Sequence, residues 1–438
     1  MVSGSGSESP EAIARIARPI HGDAELDRLI EQVGAARIVL IGGTSYGMVE
    51  QSELRAALTR KLIAERGFAA VAVAGGWPEA LRVDRYVRGQ GGQGHDESPA
   101  VALTGFERFP TWMWRNAEVA AFAEWLATWN TDLPVEQRAG FYGLDLYSLY
   151  VAIQSVLSFL DDADPAAARR AREHYAAFDH LDGAGPRGDG SALGLAERLE
   201  DEVVAELVEM QRRHLARSGR TPAGHGWFQA MQAAHVIKNA DAYYRALLRG
   251  RVAWALRDSR MADTLDMLAE RLGEPGSPAR VVVWAHNRHV GDARATAMGD
   301  AGETTLGQMM RLRHPGEVAL IGMTTHIGTV MCARGWGEPA SAEAVPPSLQ
   351  GSWEELLHGS GFPRFYVTHA ALRRTIGERA ERLQRSIGVV YRPEAEHPQH
   401  YHRSRLADQF DVVVHVDSCR AAAPLEAPPP TETAFAAG

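Results

Sequence analysis

Along the chain, short runs of β-branched and apolar residues alternate with longer segments whose apolar positions recur every three to four residues. Residues 37–41 (RIVLI) read as a buried strand that ends in Gly42-Gly43. Residues 49–66 read as a helix with Leu54, Ala57, Leu58 and Leu62 on one face, stopped by Gly67. A second strand is expected over 69–74, then a helix over 77–87, a Gly-rich loop over 89–94, a long amphipathic helix over 112–129 and a short strand over 140–143. From about 148 to 272 the pattern is almost wholly helical. Strands return at 280–285, 318–322, 365–368, 389–391 and 412–416.

Such alternation implies an α/β protein with a mainly parallel central sheet flanked by helices. The stretch 148–275 is expected to form a large helical insertion or cap between two parts of the core, 11–147 and 276–423. Residues 1–10 are expected to be a flexible leader, and the Pro/Ala/Thr-rich 424–438 a disordered tail. Open parallel sheets build their sites at the carboxyl ends of strands. Chemistry is therefore expected in the loops after Ile41, Ala74, Gly143 and Ala285.

Composition narrows the function classes. With 438 residues, 45% of them hydrophobic, there is ample material for a buried core. The net charge is −9, and Arg and Lys are spread rather than clustered, so nucleic acid is not an expected partner. Nothing reads as a membrane span or a secretion signal, and a cytoplasmic protein is expected. Cys332 and Cys419 are the only cysteines, and two free buried thiols are expected rather than a disulfide scaffold. The Ala/Arg-rich, Lys-poor composition fits a GC-rich bacterial coding sequence. The oligomeric state is not set by the sequence.

The segment Trp284-Ala285-His286-Asn287-Arg288-His289 stands out at a strand end. Two imidazoles three residues apart there can act as acid and base or contact a substrate; one of them can instead hold the loop backbone. A metal is the weakest reading, since spacing identifies no third ligand, and no cofactor is expected. This segment also resembles a motif of the erythromycin esterase family. So do Phe109-Pro110-Thr111-Trp112-Met113-Trp114-Arg115-Asn116, Tyr142-Gly143-Leu144-Asp145-Leu146-Tyr147-Ser148, Asn239-Ala240-Asp241-Ala242-Tyr243-Tyr244 and the LADQF run over 406–410. The resemblance spans roughly 25–420. It implies a central sheet with surrounding helices, a cleft between the α/β core and a helical part, and metal-independent hydrolysis of a macrolide lactone by histidine-activated water.

Against that family this chain departs at four positions. The usual G-E-x-T/S-H-G reads Gly42-Gly43-Thr44-Ser45-Tyr46-Gly47, and E-x-D-W-P reads Ala74-Gly75-Gly76-Trp77-Pro78. The proposed catalytic histidine thus becomes Tyr46, and three carboxylates are gone. A tyrosine with a pKa of about 10 is a poor base at neutral pH. Glu50, Arg55, His286 and His289 remain at matching positions, so these and Tyr46 are the catalytic candidates. Tyr46 can donate a hydrogen bond, Arg55 can hold an oxyanion or carboxylate, and a histidine can move a proton. Such a set suits cyclisation, elimination or acyl rearrangement of an oxygenated natural product as well as hydrolysis. A binding protein without chemistry is the alternative. Ser45 is a candidate substrate contact; Gly42–Gly47 is no nucleophile elbow, and a turn serine is the plainer reading. Trp77, Trp112, Trp114 and Tyr147 can line a ligand pocket or fill the core. Asp145 can partner an imidazole or cap a turn. His326 is a further candidate, and Arg257-Asp258 and Arg405 are expected in ion pairs.

Overall fold

A computed structural model of the chain describes residues 9–90, 98–107, 109–145, 253–335 and 337–425, with 169. Its centre is an eight-stranded sheet in the order β1-β9-β12-β6-β2-β5-β3-β4. The strands are β1 Arg18–Pro19, β2 Ile38–Ile41, β3 Ala70–Gly76, β4 Gly140–Asp145, β5 Val281–Trp284, β6 Val318–Thr324, β9 Arg364–Thr368 and β12 Val412–Val416. From β12 across to β4 every pairing is parallel, whereas β9 runs antiparallel to β12 and to β1.

The sheet is parallel because its central strands are apolar on both faces. Every residue of β2 (IVLI), β3 (AVAVAGG) and β5 (VVVW) is buried, which requires cover above and below. Helices Val49–Arg66, Trp77–Val87, Ala117–Asn130 and Ala253–Leu272 flank it. The first ends on Gly67 at φ 66°, the left-handed conformation that a glycine adopts without a Cβ penalty. A smaller three-stranded sheet joins β7 (Ile327–Ala333) to β8 (Ala340–Val345) and β13 (Ser418–Cys419), and β10 (Arg382–Arg385) pairs with β11 (Tyr401–Ser404).

Several expectations are corrected. The helix expected over 112–129 is two elements: a 3-10 turn at Thr111–Met113, then Ala117–Asn130. Asn116 separates them, its side chain accepting the Val119 N–H at 2.9 Å as an N-cap. No strand forms over 389–391; Val390 makes a single bridge to Ala333. Of the expected leader, Ser9 caps the helix Pro10–Ile16, and residues 1–8 lie outside the described residues. At the other end Pro424 bridges Asn116, and Leu425 donates its N–H to the Arg115 carbonyl, so pairing runs past 424. The helical stretch expected over 148–275 is described only from 253, as Ala253–Leu272, and the rest of it lies outside the described residues. So does the loop expected over 89–94 beyond residue 90. Among the described residues no helix is long and apolar enough to cross a membrane. Cys332 and Cys419 are buried and not disulfide-bonded.

Candidate active site

Strands β2, β5, β3 and β4 are neighbours, so the loops leaving their carboxyl ends converge. The loop after β2 is held tightly. A Cβ on Gly42 would come within 2.2 Å of Asn287 Oδ1, and one on Gly47 within 2.0 Å of the Met331 carbonyl oxygen. Thr44 receives a hydrogen bond on its hydroxyl from Gln51, gives its amide N–H to Gln51 Oε1 at 2.8 Å, and donates its hydroxyl to the Met323 carbonyl at 3.0 Å. Ser45 Oγ accepts the Gly47 N–H at 3.4 Å and serves the turn. Tyr46 then projects into a pocket, with its ring T-shaped against Trp114 at 5.3 Å. Burial pushes its hydroxyl up to about 12, so it remains protonated at neutral pH.

The loop after β5 places its two histidines differently. His286 caps the short helix Asn287–Val290: its Nδ1 accepts the Arg288 amide N–H at 3.1 Å. Its Nε2 faces the carbonyl oxygens of Thr44 at 2.8 Å and Ile387 at 3.0 Å. Carbonyls only accept, so Nε2 carries the proton and both ring nitrogens are committed to backbone. Burial lowers the ring to about 3, which leaves it neutral. Asn287 binds across to β6 through the Met323 carbonyl at 2.6 Å.

His289 meets a carboxylate instead. Its Nδ1 lies 2.6 Å from Asp258 Oδ1, while Asp258 Oδ2 accepts the Leu306 N–H at 3.0 Å. An ionised carboxylate only accepts, so Asp258 fixes the tautomer with the proton on Nδ1 and sets the ring orientation. Both side chains are buried and both line the pocket.

The pocket encloses about 390 Å³, within the range of small-molecule sites. Phe106, Phe109, Pro110, Met113, Trp114, Met298, Val389 and Val390 give it mainly apolar walls. Tyr46, Glu79, Arg257, Asp258, His289, Glu303 and His400 supply polar groups. Buried Arg257 is neutralised by Asp145, its Nε lying 2.8 Å from Oδ2. Among the described residues no group of three or more His, Cys, Asp or Glu side chains is placed to hold a metal ion.

Of the sequence candidates, the structure brings Tyr46, Trp114, His286 and His289 to this pocket. Arg55 lies beneath it: buried, donating to the Gly42 carbonyl at 3.1 Å, 5.9 Å over the Trp284 ring, and lowered to about 10 by burial. Glu50 turns outward and binds Arg420 through its amide at 2.7 Å and its Nε at 2.6 Å. Trp77 stacks on Tyr142 and Trp112 sits edge-on to Phe109, both buried in the core. Asp145 accepts hydrogen bonds from Arg257. His326 is elsewhere, stacked on His358 at 3.7 Å. Arg405 pairs with Asp408 at 3.1 Å. Tyr147 lies outside the described residues. Sequence reasoning assigned Asp258 to a structural ion pair and passed over Glu79. Helical periodicity signals neither, and Asp258 reaches His289 only through the fold.

The erythromycin esterase family model matches residues 63–419. Three solved structures share the fold. A succinoglycan biosynthesis protein is 18% identical with a TM-score of 0.72, covering 97% of this chain and 100% of its own. A protein from Bacillus cereus is 15% identical with a TM-score of 0.73, covering 95% of this chain and 99% of its own. A histidine-to-asparagine mutant of an erythromycin esterase, in its open conformation, is 16% identical with a TM-score of 0.58, covering 94% and 97%. On the family match, the chain belongs to the erythromycin esterase family.

Proposed function

We propose that this protein is an enzyme acting on the acyl group of an oxygen-rich natural product such as a polyketide, lactone or peptide-like compound. Its proton transfer runs through the Asp258–His289 pair. The observation that carries this reading is that pair at 2.6 Å, buried in the wall of an apolar pocket that Tyr46 also lines. A base must be held within reach of the proton it removes, and Asp258 holds His289 by Nδ1, so exchange with a ligand uses Nε2. His286, neutral and committed at both nitrogens, holds the loop.

In the proposed step His289 Nε2 takes the proton of a hydroxyl whose oxygen attacks the acyl carbon. Tyr46, protonated, donates a hydrogen bond to the oxygen on which charge develops. The acyl C–O bond then breaks, and the departing oxygen takes the proton back from the imidazolium. If the attacking hydroxyl belongs to the ligand, the product is a rearranged or cyclised ester; if it belongs to water, the product is a hydrolysed one. We favour the ligand's own hydroxyl, because the histidine and carboxylates through which relatives are expected to activate water stand here as Tyr46, Gly43, Ala74 and Gly76.

Mass spectrometry of the protein incubated with macrolide lactones, simple esters and linear hydroxyacyl precursors in heavy-oxygen water tests this. Products without label, absent with His289→Ala, are expected. Labelled acid would show that hydrolysis persists. No product with any compound would leave a binding protein as the better reading.

A further inference from the structure

Trp114 is 2% exposed, yet among the described residues its Nε1 has no hydrogen-bond partner. A buried N–H without an acceptor is a free-energy cost that folded proteins mostly avoid. Its neighbourhood is close-set. Gly75 has no side chain, and a Cβ there would lie 2.7 Å from Trp114 Nε1 and 3.0 Å from Cδ1. The polar edge of the indole therefore rests against the bare backbone of Gly75. Both residues line the pocket, and the ring is fixed by its edge contact with Tyr46.

The surroundings restrict what can satisfy this donor. Phe106 is also beside Gly75, with Cε1 3.2 Å from where the Cβ would stand. A hydroxyl placed here would bring a proton that neither the indole N–H nor the Phe106 ring edge accepts. An anion would share the pocket with Glu79, Asp258 and Glu303, while Arg257 is already paired with Asp145. A neutral carbonyl oxygen needs only a donor. We propose that the Trp114 indole N–H donates to a carbonyl oxygen of the bound molecule and makes Trp114 a specificity-determining residue selecting neutral, carbonyl-bearing ligands. This rests on the pocket being the substrate site. The conformational cost of ordering Trp114 is met by the fold, so the donor is set before the ligand arrives.

The test reads binding, not turnover. Protein labelled with ¹⁵N at its tryptophan indoles is titrated with ε-caprolactone and, separately, with oxepane, the same ring lacking the carbonyl. The Trp114 peak is assigned by its loss in Trp114→Phe or, should that variant fail to fold, in Trp114→Tyr. Caprolactone is expected to move the Trp114 indole proton downfield while oxepane leaves it in place. Trp114→Phe is expected to weaken caprolactone binding about three- to tenfold, the range of one neutral hydrogen bond, and to leave oxepane binding unchanged. No displacement by the lactone, equal displacement by both rings, or unchanged lactone affinity in the phenylalanine variant would overturn the proposal. A responsive Trp114 in a protein that turns over no ester would refute the proposed function and leave this inference standing.

Discussion

The backbone N–H of His286 donates to the Tyr46 hydroxyl at 3.0 Å, joining the loop after β5 to the loop after β2. Tyr46 thus serves both loops: its oxygen accepts within the protein, and among the described residues its own proton is left to donate. Tyr46→Phe removes that acceptor and strands a buried amide. The expected cost is about 1–3 kcal/mol in urea unfolding, together with a fall in turnover. Unchanged stability would mean that the hydroxyl does not brace the loop.

Acid should destabilise the fold in a defined window. Burial lowers His286 from 6.5 to about 3, and His402 from 6.5 to about 4. Between those folded values and about 6.5 the unfolded chain binds protons that the native chain does not, so stability falls as pH falls through this window. Each such group contributes a slope of up to about 1.4 kcal/mol per pH unit. Urea midpoints measured between pH 7 and pH 5 should decline, and His286→Asn should decline less steeply. Equal slopes in the two proteins would place the titration elsewhere.

Gly47 is required for close approach. A Cβ there would meet the backbone of Met331 at 2.0 Å for the carbonyl oxygen and 2.9 Å for the nitrogen, and backbone cannot swing aside as a side chain can. Gly47→Ala is expected to cost about 1–3 kcal/mol and to displace Tyr46. Gly67→Ala, outside the site, is strained only by its φ of 66° and should lose about 1 kcal/mol with turnover kept. Thermal melts and turnover of the two variants compare these effects.

The helices Val49–Arg66 and Trp77–Val87 could be read from the chain because their apolar period and terminal residues agree. The same period misled over 112–129. Trp112 and Trp114 continue the apolar stripe, while the Asn116 cap interrupts the helix. Val389 and Val390 read as a strand because they are apolar; they are so as part of the pocket wall. The sheet-end loops were legible as the place for chemistry, and the His286–His289 spacing marked one of them. The division of labour between the two rings was not. It depends on the Ile387 carbonyl and on Asp258, which come from distant parts of the chain. Loss of carboxylates at 43 and 76 was visible, but not that Arg55 closes over Gly43, its Nη2 lying 2.6 Å from where a Cβ would stand.

The direct test of the account is to compare His289→Asn with His286→Asn on whichever panel compound the wild-type protein turns over fastest, with folding checked for both. His289→Asn should lose roughly 10²–10⁴-fold in kcat while staying folded, in line with removal of a positioned general base. His286→Asn should keep kcat within about tenfold and lose stability, since asparagine can still cap the short helix but does not replace the imidazole between two carbonyls. The reverse, a silent His289→Asn and an inactive but stable His286→Asn, would contradict the assignment of the proton to the Asp258–His289 pair.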